Sequence, residues 1–227
     1  MSYTLLGSVL SPFVRKVRIA LLEKDIEFAL DQVVPFLAPE SFTEISPLRR
    51  VPVLLDSARG SDWSLPDSSA ICQYLEREHP TPALYPADSG SFASALWLEE
   101  YADTEFSNTI GQKIFRPVVV EPLLGSDPDL TAAQAAFDQL LPRYLQYLEK
   151  QLGTKAFFFG QSLTIADVSV AVHFQNLRLA GFEIEPSQYP GLAGFLRRVL
   201  ARPSFQTCMA EERELLEQQG FHPRVIN

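Results

Sequence analysis

The sequence predicts an α/β domain in the order βαβ-ββα followed by an all-helical domain. Three observations predict it. Short runs of β-compatible residues alternate with two well-marked helix starts over roughly the first 80 residues. Pro80 to Ser91 then gathers three prolines, a glycine and several small polar residues, which reads as a linker. Beyond it, every apolar pattern has helical spacing. The expected boundaries are 1–81 for the first domain, 82–91 for the linker and 92–227 for the helical domain.

Thr4-Leu5-Leu6 is the first expected strand and Phe28 to Val34 the second. The helix between them starts at Ser11-Pro12, an N-cap side chain followed by proline at the first helical position, where its missing N–H costs nothing. Val14, Val17, Ala20 and Leu21 recur on one face, so Arg15, Lys16 and Arg18 are expected on a solvated one. Strand, helix and strand in that order make a right-handed crossover with parallel pairing. Pro39 to Ile45 suits a short helix, ended by Ser46-Pro47 because the residue before proline leaves the α region. Val53-Leu54-Leu55 and Trp63-Ser64-Leu65 flank a polar turn and read as a hairpin. Asp67 or Ser68 then caps a helix carrying Ile71, Tyr74 and Leu75.

In the second domain, Phe92 to Ile114 is expected to be helical, with Pro117 and Pro122 bending or ending the chain's helical course beyond it. Phe137, Leu141, Tyr144 and Leu148 mark the next helix, with a kink expected at Pro142. The stretch Val168 to Phe174 is apolar on every face and belongs in a core. It begins at Thr164-Ile165-Ala166-Asp167, a relative of the capping box, which makes Asp167 a folding residue despite its catalytic type. A further helix runs from Leu192 to Leu200 and stops at Arg202-Pro203.

Composition narrows the function. A formal net charge of −9 lacks the basic excess that phosphate neutralisation needs, so nucleic acid is not an expected partner. The longest apolar runs fall far short of the roughly 20 residues of a membrane span. Met1 to Ser11 carry no basic n-region or cleavage site, and two cysteines, Cys72 and Cys208, are too few for a disulfide framework; a cytoplasmic location is expected. Cys72 falls inside a helix and reads as a buried structural thiol. His79, His173 and His222 have no metal spacing and no paired carboxylate, so no metal is expected.

Four segments, taken together, resemble the soluble glutathione S-transferases across nearly the whole chain. Ser11 to Leu21 is similar to the serine-type catalytic loop and first helix of that family. Ser46-Pro47-Leu48-Arg49-Arg50-Val51-Pro52-Val53-Leu54 is similar to the loop whose proline is cis, with Ser46 and Arg49 standing where Asn and Gly are common. Leu65-Pro66-Asp67-Ser68 resembles the acidic-Ser pair that holds a γ-glutamyl group, with Pro66 an unusual neighbour. Gly160 to Asp167, Tyr189-Pro190-Gly191-Leu192 and Arg202-Pro203-Ser204-Phe205 resemble the C-terminal domain. The resemblance implies a thioredoxin-like fold for the first domain, glutathione as co-substrate, a small hydrophobic electrophile as the second substrate, and a homodimer.

The chemistry such an enzyme must perform is thiol activation. A thiol of pKa about 8.5 is only about 3% thiolate at pH 7, and lowering it by about two units makes roughly three-quarters of it thiolate. A hydroxyl donating to sulfur at the positive end of a helix can do this, and Ser11 stands there; it is also a natural N-cap, and Ser8 competes for the role. Tyr3 lies too early in its strand. For the rest of the tripeptide, the resemblance implies Val51 as the backbone partner, Pro52 beside it, Arg50 or Arg49 for the glycyl carboxylate, Asp67 for the ammonium, Ser68 for the α-carboxylate, and Phe13 in the first helical turn. Phe106, Ile110 and Phe115 are candidates for an electrophile site between the domains, and equally for core. The alternatives are a glutathione-dependent peroxidase, an isomerase, whose Ser-Ser-Cys signature is absent, or a transferase-like protein-binding module.

Overall fold

The computed structural model describes residues 2–221. The chain forms two compact units, Met1–Tyr85 and Pro86–Asn227. The first is built on a sheet of four short strands, β1 (Tyr3–Leu6), β2 (Phe28–Asp31), β3 (Val53–Asp56) and β4 (Ser64–Pro66), in the order β2-β1-β3-β4. β1 runs parallel to β2 with Leu5 opposite Leu30, and antiparallel to β3 with Leu5 opposite Leu54. The parallel pair is closed by α1 (Pro12–Glu23), and the β3–β4 hairpin leads directly into α2 (Ser68–Glu78). Leu5, Val14, Val17, Leu21, Leu54, Ile71 and Leu75 are each fully buried, which makes the seam of sheet, α1 and α2 the core of this unit. The second strand is shorter than the sequence suggests: pairing ends at Asp31, before Gln32 to Val34. The expected helix between Pro39 and Ile45 is a 3₁₀ turn over Glu40–Glu44.

The expected solvated face of α1 does not exist. Arg15, Lys16 and Arg18 are 0%, 0% and 3% exposed. A helix covered on several sides has nowhere to send its cations, and these residues bury their long apolar stems within the fold. The domain boundary also falls later than expected. Lys24 Nζ donates to the carbonyls of His79 and Pro82, both at 2.7 Å, and pairs with Glu76 at 2.7 Å. Glu76 in turn accepts from the amides of Leu84 and Tyr85. This buried ion pair fastens residues 79–85 onto the first unit, so Leu84 and Tyr85 are core and not linker.

The second unit is helical: α3 (Ser89–Tyr101), a segment Ala102–Val120, α4 (Glu121–Leu123), α5 (Leu130–Leu152), α6 (Ile165–Leu179), α7 (Pro190–Leu200) and α8 (Pro203–Gln218). Asp88 caps α3 by accepting from the Ser91 amide at 2.8 Å, which brings three residues assigned to the linker into the helix. Helical winding continues unbroken through Ala102–Val120 with π geometry and through Pro117, where the sequence suggested a bend or a stop; the Glu121 amide that closes it reaches back five residues to the Arg116 carbonyl. α5 likewise runs on past Pro142 to Leu152. α6 is the buried centre: of its residues only Arg178 is exposed. Asp167, itself fully buried, accepts from the amides of Phe158 (2.8 Å) and Thr164 (2.7 Å) and from the Thr164 hydroxyl (2.7 Å). Glu149 on α5 caps α7 by taking the amides of Gly191 and Leu192 at 2.8 and 2.7 Å. Among the described residues no helix is long and apolar enough to cross a membrane.

Candidate active site

The first unit brings the candidate residues to one end of its sheet, and the strand register explains why. The loop holding Ser8 and Ser11 leaves β1 after Leu6. Leu6 stands opposite Val53, the first residue of β3, and Val53 stands opposite Pro66, the last residue of β4. The loop after β1, the segment before β3 and the turn after β4 therefore share an edge. Gly7 draws the first two together. A Cβ at this position would lie 2.3 Å from a methyl of Val14 in the first turn of α1 and 3.2 Å from the Val51 Cβ, so only glycine lets the chain pass. Lys16 closes the other side, its Nζ donating to the Ser69 hydroxyl at 3.0 Å and so joining α1 to the first turn of α2.

Ser11 is the N-cap of α1, half-buried, with its Oγ accepting from the Val14 amide at 3.4 Å. That long contact occupies a lone pair and leaves the hydroxyl proton available, so capping and donation to a sulfur are compatible. The helix N-terminus adds its partial positive charge at the same point. Ser8 lies one turn outside the helix and accepts from the Leu10 amide at 3.3 Å. Tyr3 sits at the opposite end of β1, buried, hydrogen-bonded to the His79 ring at 2.9 Å, its hydroxyl pushed up to about 12 by burial and the neighbouring Asp56 carboxylate. It is remote from the loop in register and poorly suited to ionise.

Val51 precedes β3, joined to Pro52 by a cis peptide bond. It is half-buried, and its amide and carbonyl take no hydrogen bond among the described residues. Phe13 is half-buried in the first turn of α1 and Pro52 is buried. The loop that presents Val51 departs from the family pattern and compensates. Ser46, 1% exposed, accepts from the Arg50 amide at 3.0 Å and donates to the Arg50 carbonyl at 2.8 Å. Arg49 stands in the usual glycine place and adopts a left-handed φ of 49°, a strain offset by guanidinium bonds to the carbonyls of Ala38 (2.6 Å) and Pro39 (3.1 Å). Of the two arginines the sequence left open, Arg49 is thus committed to its own loop and Arg50 is exposed.

Asp67 is the cap of α2, its Oδ1 accepting from the amides of Ser69 and Ala70 at 3.0 Å each. It is held at a φ of 84°, a region that disfavours any residue with a Cβ. Its other carboxylate oxygen takes no hydrogen bond among the described residues. Ser68 follows as the first helical residue, 4% exposed, and its amide takes no hydrogen bond among the described residues.

Other expectations are placed elsewhere. Phe106, Ile110 and Phe115 are 0%, 0% and 4% exposed in the helical unit, where Phe106 meets Phe174 and Tyr144 edge-on at centroid distances of 5.5 and 5.9 Å. Side chains so enclosed pack the core, the other role the sequence left open for them. Cys72 and Cys208 are buried. His79 serves Tyr3, His173 is buried 3.7 Å from the Asp103 carboxylate, and His222 lies outside the described residues. Among the described residues no group of three His, Cys, Asp or Glu side chains is placed to hold a metal. Three contributors escaped the sequence reading: Gly7, Ser46 as the closure of the loop, and Lys16. Only Gly7, directly after a strand and before a capped helix, carried a signal that could have found it.

Comparison with known proteins agrees with this architecture. Residues 5–83 match the model of the glutathione S-transferase N-terminal domain, and residues 119–212 that of the C-terminal domain. FtsZ-localized protein A of Caulobacter vibrioides is 26% identical over 203 residues, covering 89% of this chain and 88% of that protein. A glutathione S-transferase from Rhodospirillum rubrum F11 superposes with a TM-score of 0.81 at 27% identity, covering 91% of each chain. A glutathione S-transferase from Methylobacterium radiotolerans, solved in complex with glutathione sulfonate, superposes with a TM-score of 0.73 at 28% identity, covering 92% of this chain and 94% of that one.

Proposed function

We propose, for a chain that belongs to the glutathione S-transferase family and carries its two-part fold, that the first unit binds glutathione and that Ser11 activates its thiol. Val51 pairs with the cysteinyl unit as an added strand does, through its amide and carbonyl. The free oxygen of Asp67 takes the ammonium, the Ser68 amide and hydroxyl take the α-carboxylate at the start of α2, and Arg50 takes the glycyl carboxylate. Phe13 and Pro52 supply apolar walls. Ser11 donates its proton to the sulfur, and the thiolate attacks a small hydrophobic electrophile, adding to it or displacing a leaving group. The observation that supports this reading best is the backbone of Val51, unpaired among the described residues and set at the same end of the sheet as the loop holding Ser11 and the turn holding Asp67. The test is turnover of glutathione with an activated aryl chloride at pH 7. Ser11→Ala is expected to lower the rate roughly 25-fold, as the thiolate falls from about three-quarters to about 3%, while Ser8→Ala leaves it near native; the opposite ranking reassigns the role to Ser8. The expected assembly is a homodimer, which light scattering at micromolar concentration checks.

A second reading has one observation in its favour. The likeness to FtsZ-localized protein A extends over 89% of the chain, and a transferase fold used to bind a protein would keep every feature of packing described above. Failure to bind glutathione would select it.

A further inference from the structure

We propose that Ser46 is a positioning residue for glutathione: it touches no ligand, and it fixes the peptide between Arg50 and Val51 so that the Val51 amide meets the cysteinyl unit. This role rests on the glutathione reading of the site given above. Every polar group of Ser46 is committed to its own turn. Its amide donates to the Phe42 carbonyl at 2.9 Å, and its carbonyl accepts from the Arg49 amide at 2.8 Å. Its hydroxyl accepts from the Arg50 amide at 3.0 Å and donates to the Arg50 carbonyl at 2.8 Å. A hydroxyl is donor and acceptor in one atom, so a single Oγ satisfies both main-chain groups of Arg50.

The bond to the Arg50 carbonyl aims Val51. The peptide joining Arg50 to Val51 is trans, and in a planar trans peptide the C=O and the N–H point in opposite directions. With the Arg50 carbonyl turned to Ser46, the Val51 amide is turned away from it, where it takes no hydrogen bond among the described residues. The turn is in turn anchored to the sheet. Phe42, which accepts the Ser46 amide, is buried in one cluster with Leu6, the last residue of β1, and Val53, the first of β3. The Val51 side chain packs against the same cluster. Val51 is thus held by its side chain from the sheet and by its preceding peptide from Ser46. Ser46 is itself buried, so water does not stand ready to replace its hydroxyl. The bonds of Arg49 to the carbonyls of Ala38 and Pro39 brace the same turn from outside and do not involve the Ser46 hydroxyl.

The test is steady-state kinetics of the full chain and of Ser46→Ala, with glutathione varied against an activated aryl chloride. The variant is expected to raise KM for glutathione about tenfold and to keep kcat within about twofold of native. The thiolate midpoint of bound glutathione is expected to stay native, because Ser11 is untouched. Hydrogen exchange without ligand is expected to quicken at the Arg50 amide and to stay native at β1 and β3. An unchanged KM would overturn the role, as would a lowered kcat at native KM, the mark of a smaller folded fraction. A native chain that does not bind glutathione would remove the site itself and this role with it.

Discussion

The Lys16 ammonium donates to the Ser69 hydroxyl at 3.0 Å and thereby ties the helix that begins at Ser11 to the helix that begins at Asp67. The two helix starts are the two ends of the proposed glutathione site, and this contact is one of the links between them. Lys16→Met keeps the apolar stem and deletes the donor. It is expected to cost about 1.5–3 kcal/mol in urea unfolding, the range for a hydrogen bond to a charged group, and to weaken glutathione binding although residue 16 touches no ligand. Unchanged affinity would mean that the spacing is set elsewhere.

Gly7 makes the second joint. Gly7→Ala places a methyl 2.3 Å from a Val14 methyl, and Val14 is fully buried with no room to turn. Overpacking of this kind costs about 1–3 kcal/mol. Adding Val14→Ala to Gly7→Ala is expected to restore part of the lost glutathione affinity, measured by calorimetry, since it removes the nearest clashing atom. A double variant that is merely additive would argue against the clash as the cause.

These two residues also show what the sequence could and could not tell. Helix α1 was legible from Ser11-Pro12 and the spacing of Val14, Val17 and Leu21, and the strands from their β-compatible runs. The fate of Arg15, Lys16 and Arg18 was not, because periodicity sorts residues by polarity and says nothing of how many sides of a helix are covered. The left-handed φ of Asp67 and Arg49 was equally hidden: at Arg49 it goes with guanidinium bonds to the carbonyls of Ala38 and Pro39, partners distant in sequence. Phe106 and Ile110 have the composition of either a pocket or a core, and only the ring packing around α6 separates the two.

Asp67 separates capping from binding. Asp67→Asn retains an acceptor for the Ser69 and Ala70 amides, so the melting temperature should stay near native. Loss of the negative charge opposite the ligand's ammonium is expected to reduce glutathione affinity by about tenfold, read by calorimetry. An unchanged affinity would leave Asp67 as a cap alone.

Asp167 has a signed pH dependence. Burial, partly offset by the hydrogen bonds the carboxylate accepts, raises its pKa above the ordinary 3.8. A carboxyl with a raised folded pKa binds its proton more tightly in the native state, so its contribution to stability is greatest at low pH and declines as pH rises from the unfolded value through the folded one. The stability advantage of the native chain over Asp167→Asn is therefore expected to shrink as pH is raised above about 4. Urea melts across that interval check it; an advantage that grows with pH would place the folded pKa below the unfolded one. At every pH the variant should be less stable, since an amide offers one acceptor oxygen where the amides of Phe158 and Thr164 need two.

The central claim, that Ser11 lowers the pKa of bound glutathione, is tested most directly by ultraviolet titration of the thiolate in the complex. The native chain is expected to form thiolate with a midpoint near or below pH 7, and Ser11→Ala to bind glutathione with the midpoint returned to about 8.5, the value of a free thiol. A variant that binds glutathione with the native midpoint would contradict the claim and assign the activation to another group.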